Sequence, residues 1–246
     1  MKALMKHLGI QLRVDARDKG TLLVFYIVPL VFYAVMGVVF SSVTPQMKQT
    51  LPATMAIFSV TMGAVIGIPP ALVKMREAGV LRAYRVSGVP GACVLLAIGV
   101  SALVHLCVVA LVICLSAPAL FGAQAPPDAM GFAAVLAAVL FSSVALGLFI
   151  GVTAKSQAVA MMLSQALFMP SLMLSGIMFP VDLLPQPLMH LGRAFPAAHA
   201  MRAFSTLAYA QAPDFGAALP LFAVLGMGLA ALALAVWRFG KITWVN

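Results

Sequence analysis

Charge is what this chain has least of. Asp, Glu, Lys and Arg make up 9% of 246 residues while 63% are hydrophobic, against roughly a quarter charged and about half apolar in an ordinary soluble domain. No soluble packing at this length hides so much apolar surface, and the same numbers exclude disorder. Acid is scarcer still, at six carboxylates against fifteen Lys plus Arg, a formal +9. The basic residues stand in short polar gaps between long apolar runs rather than on one face. That distribution points to a membrane and away from nucleic acid.

The apolar runs lack the groups that most membrane chemistry needs. Asp15, Asp18, Glu77, Asp128, Asp182 and Asp214 all fall outside them. Ion-coupled carriers hold their ion near the midplane with ionisable or coordinating side chains. His105 is the one imidazole, amine or carboxyl well inside a run. It reads as an interhelical polar contact or as a position on a translocation path. Enzyme signatures are missing too: there is no H-E-x-x-H pair and no Gly-x-Ser-x-Gly elbow. Gly151-Val-Thr-Ala-Lys155-Ser156 lacks the glycine and the spacing of a phosphate-cradling loop. Uphill movement would therefore draw its energy from another chain. Cys93, Cys107 and Cys114 have no metal-ligand spacing and read as small packing residues.

A bilayer core takes roughly 20 apolar residues in a helix. On that ruler the spans fall at about Thr21–Phe40, Leu51–Val73, Gly91–Pro118, Met130–Val152, Ala158–Phe179 and Gly216–Trp237, with Pro170 expected to kink the fifth. The expected fold is an all-α integral membrane protein of six transmembrane helices, a single domain over residues 1–246. With six spans, twelve of the fifteen basic residues lie on one side and only Lys48, Arg193 and Arg202 on the other. The positive-inside rule makes both termini cytoplasmic.

The first twenty residues are too charged for a cleavable leader. At 100° per residue, Lys2, Lys6, Arg13 and Arg17 fall in an arc of about 60°, opposite Leu4, Met5, Leu8 and Leu12. Residues 1–20 are expected to lie along the headgroups as an interfacial helix. Two small-x-x-x-small pairs, Gly63/Gly67 and Gly147/Gly151, have the spacing for close helix approach, including contact between subunits.

Two segments carry the most information. Residues 74–90, Lys74-Met-Arg-Glu-Ala-Gly-Val-Leu-Arg-Ala-Tyr-Arg-Val-Ser-Gly-Val-Pro90, are too charged for lipid. Arg76 to Arg85 reads as a short helix ended by Gly88 and Pro90. It pairs Leu81 with Tyr84 and Arg82 with Arg85, which suits docking into a groove on a partner. Residues 180–213 form the second segment. Pro180, Pro185, Pro187 and Pro196 forbid a continuous span, yet the stretch is apolar. Short re-entrant or interfacial helices before the last span satisfy both facts.

These features together resemble the integral-membrane subunit of type-2 ABC exporters. The closest points are Arg76-Glu77-Ala-Gly79-Val-Leu81-Arg82-Ala-Tyr84-Arg85, similar to the family's Glu-Arg-x-x-Gly-Thr-Leu-x-x-Leu/Tyr loop, then Ser175-Gly176-Ile-Met-Phe179-Pro180 and Phe195-Pro196-Ala-Ala-His199-Ala-Met-Arg202. Val80 replaces the usual Thr, and Ser87-Gly88-Val89-Pro90 the commoner Thr-Pro run. The resemblance implies a permease in a bacterial inner membrane, paired with a second permease subunit and docked to a cytoplasmic ABC ATPase. Residues Arg76, Glu77, Gly79, Leu81, Arg82, Tyr84 and Arg85 would serve as the ATPase-coupling loop. ATP would be bound by the partner chain, with no cofactor here. A hydrophobic or amphipathic, drug-like or lipid-like cargo fits a chain rich in Met and Phe. A polysaccharide or glycolipid exporter of the same family and a self-sufficient secondary carrier are the alternatives.

Overall fold

The structure, a computed structural model, describes residues 2–43, 48–178, 180–209 and 218–245. Phe179, Asp214 and residues 210–213 of the expected outer segment lie outside the described residues. Among the described residues six helices are long and apolar enough to cross a membrane: Lys19–Ser42, Leu51–Glu77, Gly91–Phe121, Ala129–Thr153, Gln157–Leu174 and Leu219–Lys241. No strand occurs among the described residues. Lipid offers the backbone no partners, so a helix that bonds to itself is how such runs are satisfied. Three of their starts are marked by short polar side chains. Asp18 accepts from Thr21 N (2.9 Å), Asp128 from Met130 N and Gly131 N, and Ser156 from Val159 N.

Two span ends differ from the pattern of apolar runs. The second helix continues past Val73 through Lys74 and Arg76 to Glu77. Charged residues can extend a helix beyond the hydrocarbon because its hydrogen bonds do not depend on lipid. The fifth passes through Pro170 but stops at Leu174. There the Ser175 hydroxyl bonds back to the Ser171 carbonyl, and Gly176 takes a positive φ of 84°.

The second and fourth spans form the centre of the bundle, and the first, fifth and sixth flank it. Within the chain both glycine pairs serve packing at this centre. A Cβ on Gly147 would collide with the Ala64 carbonyl, and one on Gly63 with the Leu106 side chain. Removing the side chain lets the helices approach closely. Wide, π-type turns occur at Leu23–Ile27 and Gly63–Gly67, just ahead of Pro29 and of Pro69–Pro70. Proline lacks a donor and its ring pushes away the carbonyl four residues back, a conflict that a wider turn relieves. The two turns pack on each other, bringing Phe25 against the glycines of the second span.

Beyond the fifth span the chain makes a turn at Val181–Leu183, a mostly exposed helix at Gln186–Gly192, and a second helix at Pro196–Ala203. The second buries Ala197, Ala198, Ala200 and Ala203 against the second, fourth and sixth spans. His199 Nε2 bonds the Arg193 carbonyl at 2.8 Å, joining the two helices.

Candidate functional site

The loop after the second span is built around two glycines. The span ends as Ala78 N and Gly79 N donate to the Lys74 and Arg76 carbonyls, and Gly79 adopts φ +72°. That left-handed conformation is costly for residues with a Cβ. The expected continuous helix from Arg76 to Arg85 is therefore two pieces: the last turn of the span, and a separate helix at Val80–Val86. Gly88, at φ +73°, ends the second piece, and Val89 N returns to the Tyr84 carbonyl at 3.0 Å. Pro90 then leads into the third span.

This break sorts the candidate residues into three directions. Leu81 and Tyr84 turn inward, half-buried, packing with Val89 onto the main core. They line a cleft of about 470 Å³ between the loop helix and the ends of the third and sixth spans, with Val94, Val236 and Phe239 opposite. Arg82 and Val86 face outward, Val86 with 84% of its surface exposed. Arg85 belongs to the same helix, but its side chain is outside the described residues.

Arg76 and Glu77 point the third way, to the loop between the fourth and fifth spans. Arg76 Nη2 donates to the Ala154 carbonyl at 2.5 Å, and Gln157 Nε2 donates to Glu77 Oε2 at 2.6 Å. A guanidinium on a helix-terminal carbonyl is favourable both as a charge-assisted bond and against the helix dipole. Ala154 is indeed the residue that closes the fourth span. Sequence spacing offered no sign of this link, since its partners lie 78 and 80 residues apart. The two loops at the basic end of the bundle are thus one connected surface, with Arg82 and Val86 outward upon it.

Asp18 caps the first span at the same end. The Thr21 hydroxyl (2.8 Å) and the Thr21 amide both donate to its carboxylate and hold its pKa below the usual 3.8. Lys241 sits with its ammonium 3.8 Å over the Trp237 ring where the sixth span ends.

His105 is the polar site of the bundle interior. Its Nδ1 is 2.7 Å from the Tyr26 hydroxyl on the first span, and the rings meet edge to face. It makes an interhelical polar contact. No group of three or more His, Cys, Asp or Glu side chains able to hold a metal is formed among the described residues.

The family model described as ABC-2 type transporter matches residues 9–209 of the chain. No curated protein matches it.

Proposed function

The chain belongs to the ABC-2 type transporter family, and from that premise we propose that it is the permease subunit of an exporter driven by ATP hydrolysed on a separate cytoplasmic chain. It is a multi-pass membrane protein and the membrane component of a transporter. In the proposed arrangement both termini and the loop helix face the cytoplasm of a bacterium, across its inner membrane. Twelve basic residues on that side support the orientation.

The observation that carries the reading is the connected loop surface. A docking element must transmit force, which a floppy loop does not do. Val80–Val86 is seated on the bundle by Leu81 and Tyr84 and bounded by two sharp glycine turns. The adjoining Arg76 and Glu77 tie it to the neighbouring loop. The ATPase would meet Arg82 and Val86, with Arg85 on the same helix. Acidic side chains on its surface would complement the arginines. Closure of the ATPase pair would then push on the second and fourth spans together.

Two such permease subunits would meet along the fifth span. Its outward face carries Met161, Met162, Met169 and Met173 around Gln165, all exposed in the single chain. An amide at that depth is unfavourable against lipid and suits a partner helix or a wetted path. Adaptable thioethers beside one amide fit an amphipathic cargo.

The test is charge reversal, Glu77→Lys and Arg82→Glu, with the ATPase co-reconstituted. The expected result is normal insertion and continued ATP hydrolysis with transport lost. Unchanged transport in both variants overturns the reading.

A further inference from the structure

The N-terminal helix Lys2–Asp15 is laid against the third span. The Ser101 hydroxyl donates to the Asp15 carboxylate at 2.6 Å, and Gln11 Nε2 donates to the other carboxylate oxygen at 2.9 Å. At 100° per residue, Leu8, Gln11, Leu12 and Asp15 fall in an arc of about 100°. Among the described side chains of the helix these are the half-buried ones. The face with Leu8 and Leu12 is therefore covered by protein, not by lipid.

Ile10, Arg13, Val14 and Arg17 occupy the opposite arc, again of about 100°. All four are exposed, Ile10 at 55% and Val14 at 54%. Arg17 keeps its place in this arc because the turn continues past Asp15, with Asp18 N on the Val14 carbonyl at 3.0 Å. The face divides lengthwise. Ile10 and Val14, four apart, make an apolar stripe, and Arg13 and Arg17, also four apart, make a cationic stripe beside it. The acids of this stretch are held elsewhere, Asp15 by Ser101 and Gln11 and Asp18 by Thr21. Two guanidiniums are left to meet an anion from outside the stretch.

The depth of this face follows from a count along the spans. The third span has 31 residues, Gly91–Phe121, where a bilayer core takes roughly 20. Counting roughly 20 residues back from Phe121 reaches Ser101. The same count from Ser42 ends at Leu22 and from Leu51 at Ala71, each close to a lysine, Lys19 and Lys74. Asp15, bonded to Ser101, thus lies where hydrocarbon gives way to headgroups. Ile10 is at most about 8 Å from it along the helix, within the headgroup layer.

We propose that the outward face of the N-terminal helix is a binding site for anionic phospholipid. Ile10 and Val14 enter the acyl boundary, and Arg13 and Arg17 take the phosphate of a headgroup with net negative charge. A guanidinium matches two phosphate oxygens at once. A zwitterionic headgroup carries its own cation, which competes for the same oxygens. The helix is then clamped between the third span and the lipid shell, and the clamp tightens with the anionic content of the membrane. This contact needs neither an ATPase nor a cargo, so it stands or falls separately from the transport reading.

The experiment uses the full chain in lipid nanodiscs, with Trp237→Phe and Trp244→Phe, and with Val14→Trp as the one indole, a side chain suited to the interface. Its fluorescence is quenched by brominated acyl chains carried on either phosphatidylglycerol or phosphatidylcholine. At equal mole fraction the brominated phosphatidylglycerol should quench more, reporting an enrichment beside the helix of about fivefold, the effect of one basic residue at an anionic surface. Arg13→Gln together with Arg17→Gln should bring the two lipids level. Arg238→Gln, at an exposed arginine of the sixth span, should leave the preference intact. Equal quenching by the two lipids in the parent, or a preference that survives the double change, overturns the proposal. So does a preference lost equally on Arg238→Gln. An indole that neither lipid quenches also overturns it, since the face would then be turned to water or to a protein partner.

Discussion

The fourth and sixth spans are almost equally apolar, with mean hydropathies of 2.5 and 2.4, yet 78% of one is buried inside the bundle and 22% of the other. They also pack directly against each other. Hydropathy reports whether a segment prefers lipid to water and says nothing of what stands beside it, because lipid tails are as apolar as leucine. What separates the two is side-chain size. The fourth buries Ser142, Ser143, Ala145, Gly147 and Gly151, while the sixth turns Phe222, Leu229, Leu234 and Trp237 outward. The closest backbone approaches in this bundle are made where side chains are small.

The sharpest way to break that comparison is to put the same large side chain on both helices. Gly147→Leu would drive carbon into the Ala64 carbonyl, whereas at Gly226 on the sixth span, an exposed position, an added Cβ meets nothing within 4 Å. Overpacking of this kind costs about 3 kcal/mol. The Gly147 variant should fail to give a monodisperse peak in fluorescence-detected gel filtration, and the Gly226 variant should match the parent. Gly228→Leu, two residues from Gly226 but facing Ser142 at 2.8 Å, should behave like the Gly147 variant. Equal tolerance at Gly147 and Gly226 would show that side-chain size is not what distinguishes the helices.

A smaller effect is expected where a polar bond joins a flanking span to the interior. Tyr26→Phe removes the partner of His105. Hydrogen bonds between helices in lipid are worth about 0.6 kcal/mol on average, so thermal unfolding in detergent should shift down by no more than a few degrees. Smaller still is the cap of the first span. Asp18→Ala should cost about 0.5 kcal/mol, the low end for a cap, because the site is open to solvent. The folded-state pKa of Asp18 is depressed below 3.8, so the cap contributes fully above that value. Its contribution is lost as pH falls through the depressed folded value. The difference between parent and variant in a pH series of melting curves should therefore vanish only on the acid side of 3.8. Gln165→Leu, on the outward face of the fifth span, should leave the melting temperature of the isolated chain unchanged while lowering transport. A marked loss of stability there would mean that the amide is buried within one subunit.

The six spans could be read from apolar runs and from the placement of lysine and arginine, since membrane thickness and the helix rise set both. Contacts between distant segments could not. Leu81 and Tyr84 share a helix face by spacing alone, but nothing in the spacing says whether that face meets the bundle or a partner; the Gly79 turn decides it. Arg76 and Glu77 looked like part of the loop helix because charge suggests a polar gap, whereas the second span carries them on its last turn. Asp15 lies outside the six spans, as its polar neighbours in sequence suggest, but nothing in the sequence names its partner Ser101, 86 residues away. The glycine pairs announced close approach without naming the helix approached.

The bonds from Arg76 and Glu77 to residues 154 and 157 behave as a yoke. In the proposed arrangement a tug delivered at residue 82 would be shared among three rods, the two innermost and one of the outer, grease-coated ones. The stroke would thereby be felt at the heart of the barrel and along one side of its rim. Cutting both tethers at once would leave a handle that turns without moving the door.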